Sequence, residues 1–297
     1  MSPPDWRPDR ALYPFSGRFF DVGSGIRMHC LDEGRGEPVV MLHGNPTWSF
    51  LYRRLVLALR GRFRCVVPDH VGCGLSDKPP AARYDYSLSR RIGDVTQLLD
   101  DLGVNENVTL VLHDWGGMIG SAWATRFPER VKRLVIFNTA GYPMPAGARL
   151  PRSLWWGRNT LLGAVAIRGF NAFCRLAAKW CVTKPLPPDV RRMFLAPYNS
   201  WANRIAVLKF VQTIPLAERD PGFGIVRETG ERLHLLREKP ALICWGMRDF
   251  VFDEHFLAEW QRRFPAAEVR RVPDAGHYLL EDAGDEIVPV VERFLSG

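Results

Sequence analysis

An uninterrupted run of aliphatic and β-branched residues, Val108-Thr109-Leu110-Val111-Leu112, leads into His113-Asp114-Trp115-Gly116-Gly117 and then into Met118-Ile119-Gly120-Ser121-Ala122-Trp123-Ala124. A short apolar run of this kind suits a strand buried on both faces, as in a parallel sheet. The two glycines permit a sharp turn, and the small residues that follow at helical spacing let a helix lie close to the sheet. Strand, turn and packed helix together form a nucleophile elbow, which lifts one side chain above the end of the sheet. The best-known version holds a serine between two glycines. Here the raised residue is Asp114, and Leu112 stands in place of the first glycine. A carboxylate at that point would react by forming an ester or anhydride. An Asp before a helix also suits an N-cap, and the pentapeptide alone leaves both roles open.

Strand-like runs fall near Phe19–Val22, Met28–Leu31, Val39–Leu42, Cys65–Val67, Val108–Leu112, Leu134–Phe137, Leu242–Trp245 and Val269–Val272. From the third onward they alternate with helical patterns such as Ile92–Leu102, and the first two suit a hairpin. This order predicts an α/β fold, a mostly parallel eight-stranded sheet with helices on both faces. From Thr139 to Leu236 the alternation stops. That segment is rich in Trp, Arg and Leu, with Pro-containing breaks at Lys184–Pro188. The expected organisation is therefore a core of residues 1–138 and 237–297 with a helical cap, 139–236, inserted above the elbow. The cap tryptophans, Trp155, Trp156, Trp180 and Trp201, suit an apolar channel or the cap's own core.

Turns at the ends of other runs supply further polar groups. Val39–Leu42 stops at His43-Gly44-Asn45-Pro46-Thr47-Trp48, where glycine and proline enforce a turn before a helix near Ser49. In such a fold this turn and Trp115 are expected to give backbone N–H groups to an oxyanion hole. The run Leu242–Trp245 ends near Asp249, and Val269–Val272 ends near His277. Nucleophile, acid and histidine follow in this order along the chain in elbow enzymes, so Asp114, Asp249 and His277 form a candidate triad. The loop Gly72-Cys73-Gly74-Leu75-Ser76-Asp77-Lys78-Pro79 lacks the pattern of a phosphate-binding loop.

The motifs HGNPTW, GLSDKP, HDWGG, GMRD and DAGH, spread from Met41 to His277, resemble the haloalkane dehalogenase branch of the α/β-hydrolase family. The resemblance implies that fold, with Asp114 as nucleophile, His277 as base, Asp249 as acid, and Asn45 with Trp115 holding a departing anion. Segments outside those motifs, 138–145, 167–173, 197–205 and 245–253, are similar to bacterial β-lactone decarboxylases of long-chain olefin biosynthesis, and the likeness spans nearly the whole chain. It implies a long-chain dialkyl β-lactone as substrate, a cis-alkene and carbon dioxide as products, and the β-lactone synthetase of the same pathway as a partner. The candidate triad also serves a dehalogenase or related hydrolase, and the fold also serves as a non-catalytic binding subunit.

The chain has 297 residues, with 40 basic against 32 acidic side chains and a net charge of +8. The charge is scattered in pairs such as Arg53-Arg54, which argues against nucleic-acid binding while favouring acidic partners or anionic lipid headgroups. No run approaches the length of a transmembrane helix, and Met1–Arg7 lacks a signal-like apolar core, so a cytoplasmic enzyme is expected. The six cysteines include Cys65 and Cys244 within core runs and show no Cys-x-x-Cys spacing. No metal or other cofactor is implied.

Overall fold

The computed structural model describes residues 6–297; the first five, part of the N-terminal stretch just discussed, lie outside the described residues. Eight strands form one sheet: β1 Arg18–Asp21, β2 Arg27–Glu33, β3 Pro38–Leu42, β4 Arg64–Pro68, β5 Val108–Asp114, β6 Val131–Thr139, β7 Ala241–Gly246 and β8 Glu268–Val272. Their spatial order is β1-β2-β4-β3-β5-β6-β7-β8. The first two strands pair antiparallel, as do β2 and β4, and every other pair is parallel. All seven residues of β5 are buried, which accounts for its unbroken apolar run. Going from β3 to β4 the chain steps one way across the sheet, and from β4 to β5 it steps back over β3. The switch point therefore lies between the carboxyl ends of β3 and β5, where open parallel sheets hold their ligands.

Helices α1 Arg53–Leu59, α2 Leu88–Asp101 and α3 Trp115–Arg126 connect the four parallel strands β3 to β6. In α2, Ser87 caps the first turn by accepting from the Arg90 N–H, and Leu88, Ile92, Val95, Leu98 and Leu99 face the core at helical spacing. The helix expected at Ser49 opens instead as a 3-10 turn, Ser49–Tyr52, before α1 begins at Arg53. The Ser49 N–H is drawn onto the buried Asp69 carboxylate, and this fixes the entry to the turn. Residues of α3 from Trp115 to Thr125 are all buried, as their small side chains allow.

Between β6 and β7 every regular element is a helix: α4 Arg152–Asn159, α5 Leu161–Phe170, α6 Ala172–Trp180, α7 Pro188–Leu195, α8 Ile205–Gln212 and α9 Phe223–Arg232, with short 3-10 turns. The break at Lys184–Pro188 separates α6 from α7. α9 and the turn after it pack on α3, so this end of the insertion is joined to the sheet layer. Helices α10 Glu254–Arg263, α11 Leu279–Asp282 and α12 Gly284–Ser296 complete the chain, and α12 covers the opposite face of the sheet beside α1.

Candidate active site

β5 ends on Asp114, whose backbone is turned to φ 51°, ψ −127° before α3 starts at Trp115. A non-glycine residue held there costs about 1–3 kcal/mol, and the surrounding contacts must hold it. Two of them are visible: Thr139 Oγ1 donates to the Asp114 carbonyl, and the Asn45 N–H donates to Asp114 Oδ1 at 2.7 Å. Asp114 makes no side-chain cap bond to α3, so its carboxylate is turned away from the helix and towards β3. Close approach explains the glycines. A Cβ on Gly116 would overlap the Leu42 carbonyl, and one on Gly44 would overlap the Asp114 carboxylate.

Asp249 and His277 arrive on the loops after β7 and β8. Asp249 Oδ1 accepts from the N–H groups of Val251 at 2.7 Å and Phe252 at 3.1 Å. Its other oxygen lies 2.7 Å from His277 Nδ1. On the far side of the ring, His277 Nε2 stands 3.5 Å from Asp114 Oδ2. The structure thus brings together the three residues that sequence order suggested, although 163 residues of chain separate Asp114 from His277.

Burial of His277 disfavours its charge, but Asp249 above all, and Asp114 with it, overcome this and raise the imidazole from 6.5 to about 10. Burial likewise works against the charge of Asp114, yet the His277 hydrogen bond and charge hold its carboxyl below the usual range of 3.8. The resting site therefore sets an imidazolium at His277 against the Asp114 carboxylate. His113 is different: burial and the neighbouring His277 lower it to about 4, so it is neutral, and its Nε2 bonds the His277 carbonyl at 2.8 Å.

The sign of the His277 shift fixes a pH dependence of stability. A pKa raised on folding adds stability that is complete below 6.5 and is lost as pH rises through about 10. The melting temperature of the native protein should accordingly fall more steeply between those values than that of His277→Gln. Parallel melting curves over this window would contradict the imidazolium assignment.

Asn45 and Trp115 both line the cavity above Asp114. In the turn expected to serve an oxyanion hole, the Asn45 N–H is bonded to the Asp114 carboxylate itself. Asn45 Nδ2 donates to the Val207 carbonyl on α8 at 3.2 Å, which leaves its second amide hydrogen for another acceptor. The Trp115 N–H opens α3, where no carbonyl of the same helix can reach it. Two contributors to the site carried weaker sequence signals. Gly44 reads only as a turn residue, and Phe252, whose ring stacks on His277 at 5.7 Å, sits in a loop without periodicity.

Above these polar groups lies a cavity of about 220 Å³, walled by apolar side chains of α3 and of the helical insertion, among them Met118, Trp156, Phe173, Leu176 and Trp180. All four insertion tryptophans are about half-exposed, and of these Trp156 and Trp180 also line this cavity. The channel thus takes two of them, and none belongs to the cap's own core.

Comparison with known proteins gives concordant results. Residues 37–284 match the model of the alpha/beta hydrolase fold family. The chain is 52% identical over 286 residues to a cis-3-alkyl-4-alkyloxetan-2-one decarboxylase of Shewanella oneidensis, covering 96% of this chain and 90% of that one. It is 47% identical to the protein of the same name from Xanthomonas campestris, over 96% and 97% of the two chains. A haloalkane dehalogenase 2 of Mycobacterium tuberculosis is 35% identical over 98% of this chain and 99% of its own. The crystal structure of the haloalkane dehalogenase DatA from Agrobacterium tumefaciens superposes with a TM-score of 0.84 at 26% identity, over 97% and 99% of the chains. The match to the family model over most of the chain and the identity to these relatives over nearly its whole length agree with the geometry, and the chain accordingly belongs to the α/β-hydrolase family, among the cis-3-alkyl-4-alkyloxetan-2-one decarboxylases and their haloalkane dehalogenase relatives.

Proposed function

We propose that this chain is a lyase that converts a cis-3-alkyl-4-alkyloxetan-2-one to a cis-alkene and carbon dioxide. The observation that carries the reading is a charged carboxylate, fixed by the Asn45 N–H and facing His277, at the floor of a predominantly apolar cavity. Two alkyl arms suit the apolar walls, and the polar ring suits the floor.

Asp114 attacks the ring carbon that bears oxygen, the ring C–O bond breaks, and a free carboxylate is released on the neighbouring carbon. The bond from that carbon to carbon dioxide then breaks, its electron pair forms the alkene, and the Asp114–carbon bond breaks with return of the electrons to Asp114. Inversion in the first step and anti loss in the second give the cis-alkene. No water and no net proton are consumed. Asn45, through its remaining amide hydrogen, and the Trp115 indole are the donors proposed for the released carboxylate, a preorganised donor being worth roughly 3 kcal/mol. The Asn45 N–H is engaged by the nucleophile, which favours ring-carbon attack over a carbonyl route that would claim the same donor.

His277 has a task without hydrolysis. As imidazolium it stabilises Asp114 as a leaving carboxylate in the second step. Once Asp114 is esterified one of its two anionic neighbours is neutralised, so its proton is then held less tightly. In a hydrolase that neutral histidine would activate water, with Asp249 holding its tautomer. The apolar walls, with residues 139–236 as the proposed lid over the 1–138 and 237–297 core, keep water from the ester.

Turnover in oxygen-18 water tests the reading. A cis-alkene should form while the peptide containing Asp114 stays unlabelled, because solvent oxygen never enters the carboxylate. A hydroxy acid product with label accumulating in Asp114 would assign the chain to the hydrolases instead.

Two further proposals follow from the same chemistry. The lactone is strained and poorly soluble, so the enzyme that forms it is the proposed partner, and co-sedimentation of the two proteins at low salt is the measurement. The working compartment is proposed to be the cytoplasm, a reading supported by six buried free cysteines.

A further inference from the structure

The outer side of the helical insertion carries large apolar side chains that nothing among the described residues covers. Leu161 is 86% exposed, Leu162 71% and Phe170 69%, with Trp155 beside them at 55%. Leu161, Leu162 and Val165 fall within one sector of α5, while Ile167 on its other side lines the cavity together with Ala166 at the edge of that sector. A single helix thus separates the substrate cavity from an exposed apolar face. Contiguous exposed apolar surface of this sort marks an interaction site.

The charge around the patch has one sign. From Arg130 to Pro188 the sequence contains no Asp or Glu. Arg149, Arg152, Arg175 and Lys179 are exposed and have no carboxylate partner among the described residues, whereas Arg158 is paired with Asp220 on the inner side. Apolar and aromatic side chains flanked by unpaired cations match the two layers of an anionic lipid surface, acyl chains beneath and phosphates above. A protein partner would have to supply both features in register.

The geometry limits how deep such contact goes. No single helix among the described residues is long and apolar enough to cross a membrane. α5 and α6 reach that length and hydropathy only together, and they are bent by 80°. The bend is at Asn171, in the left-handed region at φ 54°, where its Nδ2 donates to the Tyr198 carbonyl at 3.2 Å. Two short helices at that angle lie in an interface and do not span it.

We propose that the α4–α6 face docks on an anionic lipid surface, inserting Leu161, Leu162 and Phe170 below the headgroups and setting Arg152, Arg175 and Lys179 against phosphates. The cavity wall then rests on the phase in which a water-insoluble substrate is dissolved.

The test needs no substrate, so it stands or falls apart from the decarboxylase reading. The purified full chain should co-sediment with vesicles of phosphatidylglycerol and phosphatidylcholine, with a blue shift of tryptophan emission, and bind at least about tenfold more weakly to phosphatidylcholine alone or in high salt. Leu161→Ser/Leu162→Ser/Phe170→Ser, at positions that do not line the cavity, should bind about a hundredfold more weakly while melting as the native protein does. Arg152→Glu/Lys179→Glu should lose the salt-dependent part alone. Native protein that stays in the supernatant with anionic vesicles at low salt would overturn the proposal. So would equal binding by the triple serine variant, or sedimentation velocity showing a dimer that the variant abolishes without any vesicle binding, since the patch would then cover a second copy.

Discussion

Asp114→Ala should lose alkene formation by at least about four orders of magnitude in kcat/KM, with the fold retained. The expected size follows from the proposed role: a carboxylate that forms and breaks a bond to carbon is a covalent nucleophile, and deletion of one has effects of this order. The fold should survive because the change removes a buried charge together with its desolvation, and because the strand and helix on either side are held by the sheet and core. His277 loses one of its two anionic neighbours in the variant, so its pKa should fall from about 10 towards the ordinary 6.5. Histidine resonances followed by NMR through a pH titration would register that shift independently of activity. Residual turnover near the native level in a cooperatively melting variant would exclude Asp114 as the nucleophile.

Gly44→Ala should cost about a thousandfold in kcat, although Gly44 has no functional atom of its own. A methyl group there would collide with the Asp114 carboxylate and displace it from the Asn45 N–H, 2.7 Å away in the native site. Loss of one preorganised donor typically costs 10²- to 10³-fold, and misplacement of the attacking oxygen adds to it. The backbone of Gly44 is not in the left-handed region, so alanine introduces a clash with one side chain and little backbone strain. Melting should therefore change far less than activity. Native-like kcat in Gly44→Ala would mean that the carboxylate relaxes freely, and the positioning role assigned to the Asn45 N–H would fail.

The sheet was legible because its signal is local. Each strand is a short apolar run, and the eight runs read from the sequence coincide with the eight strands to within a few residues at their ends. Ends blur because hydrogen-bond pairing with a neighbour, not side-chain type, decides where a strand stops; β6 extends from Val131 to Thr139 by pairing with β5, although its inner run is only Leu134–Phe137. The turn at Ser49 differed in detail for a similar reason. Asp69, twenty residues further along the chain, captures the Ser49 N–H, and no pattern around Ser49 announces this.

The candidate site divides along the same line. Its residue types and chain order, Asp114 then Asp249 then His277, were readable because each follows a recognisable strand, and topology carries strand ends to one edge of a parallel sheet. Gly44 and Phe252 were not read as site residues, since their parts depend on who their neighbours are.

The sequence by itself determined the alternation of elements, the presence of a carboxylate at the elbow, and the helical insertion between β6 and β7, all of which rest on side-chain periodicity and backbone preference within a few residues. Only the tertiary structure decided the raised pKa of His277, the bond from the Asn45 N–H to Asp114, and which face of α5 is wet. Those properties arise from burial and from distances of 2.7 to 3.5 Å between groups brought together from remote parts of the chain. Electrostatic energy depends on separation and surrounding dielectric, and neither quantity exists until the chain has folded.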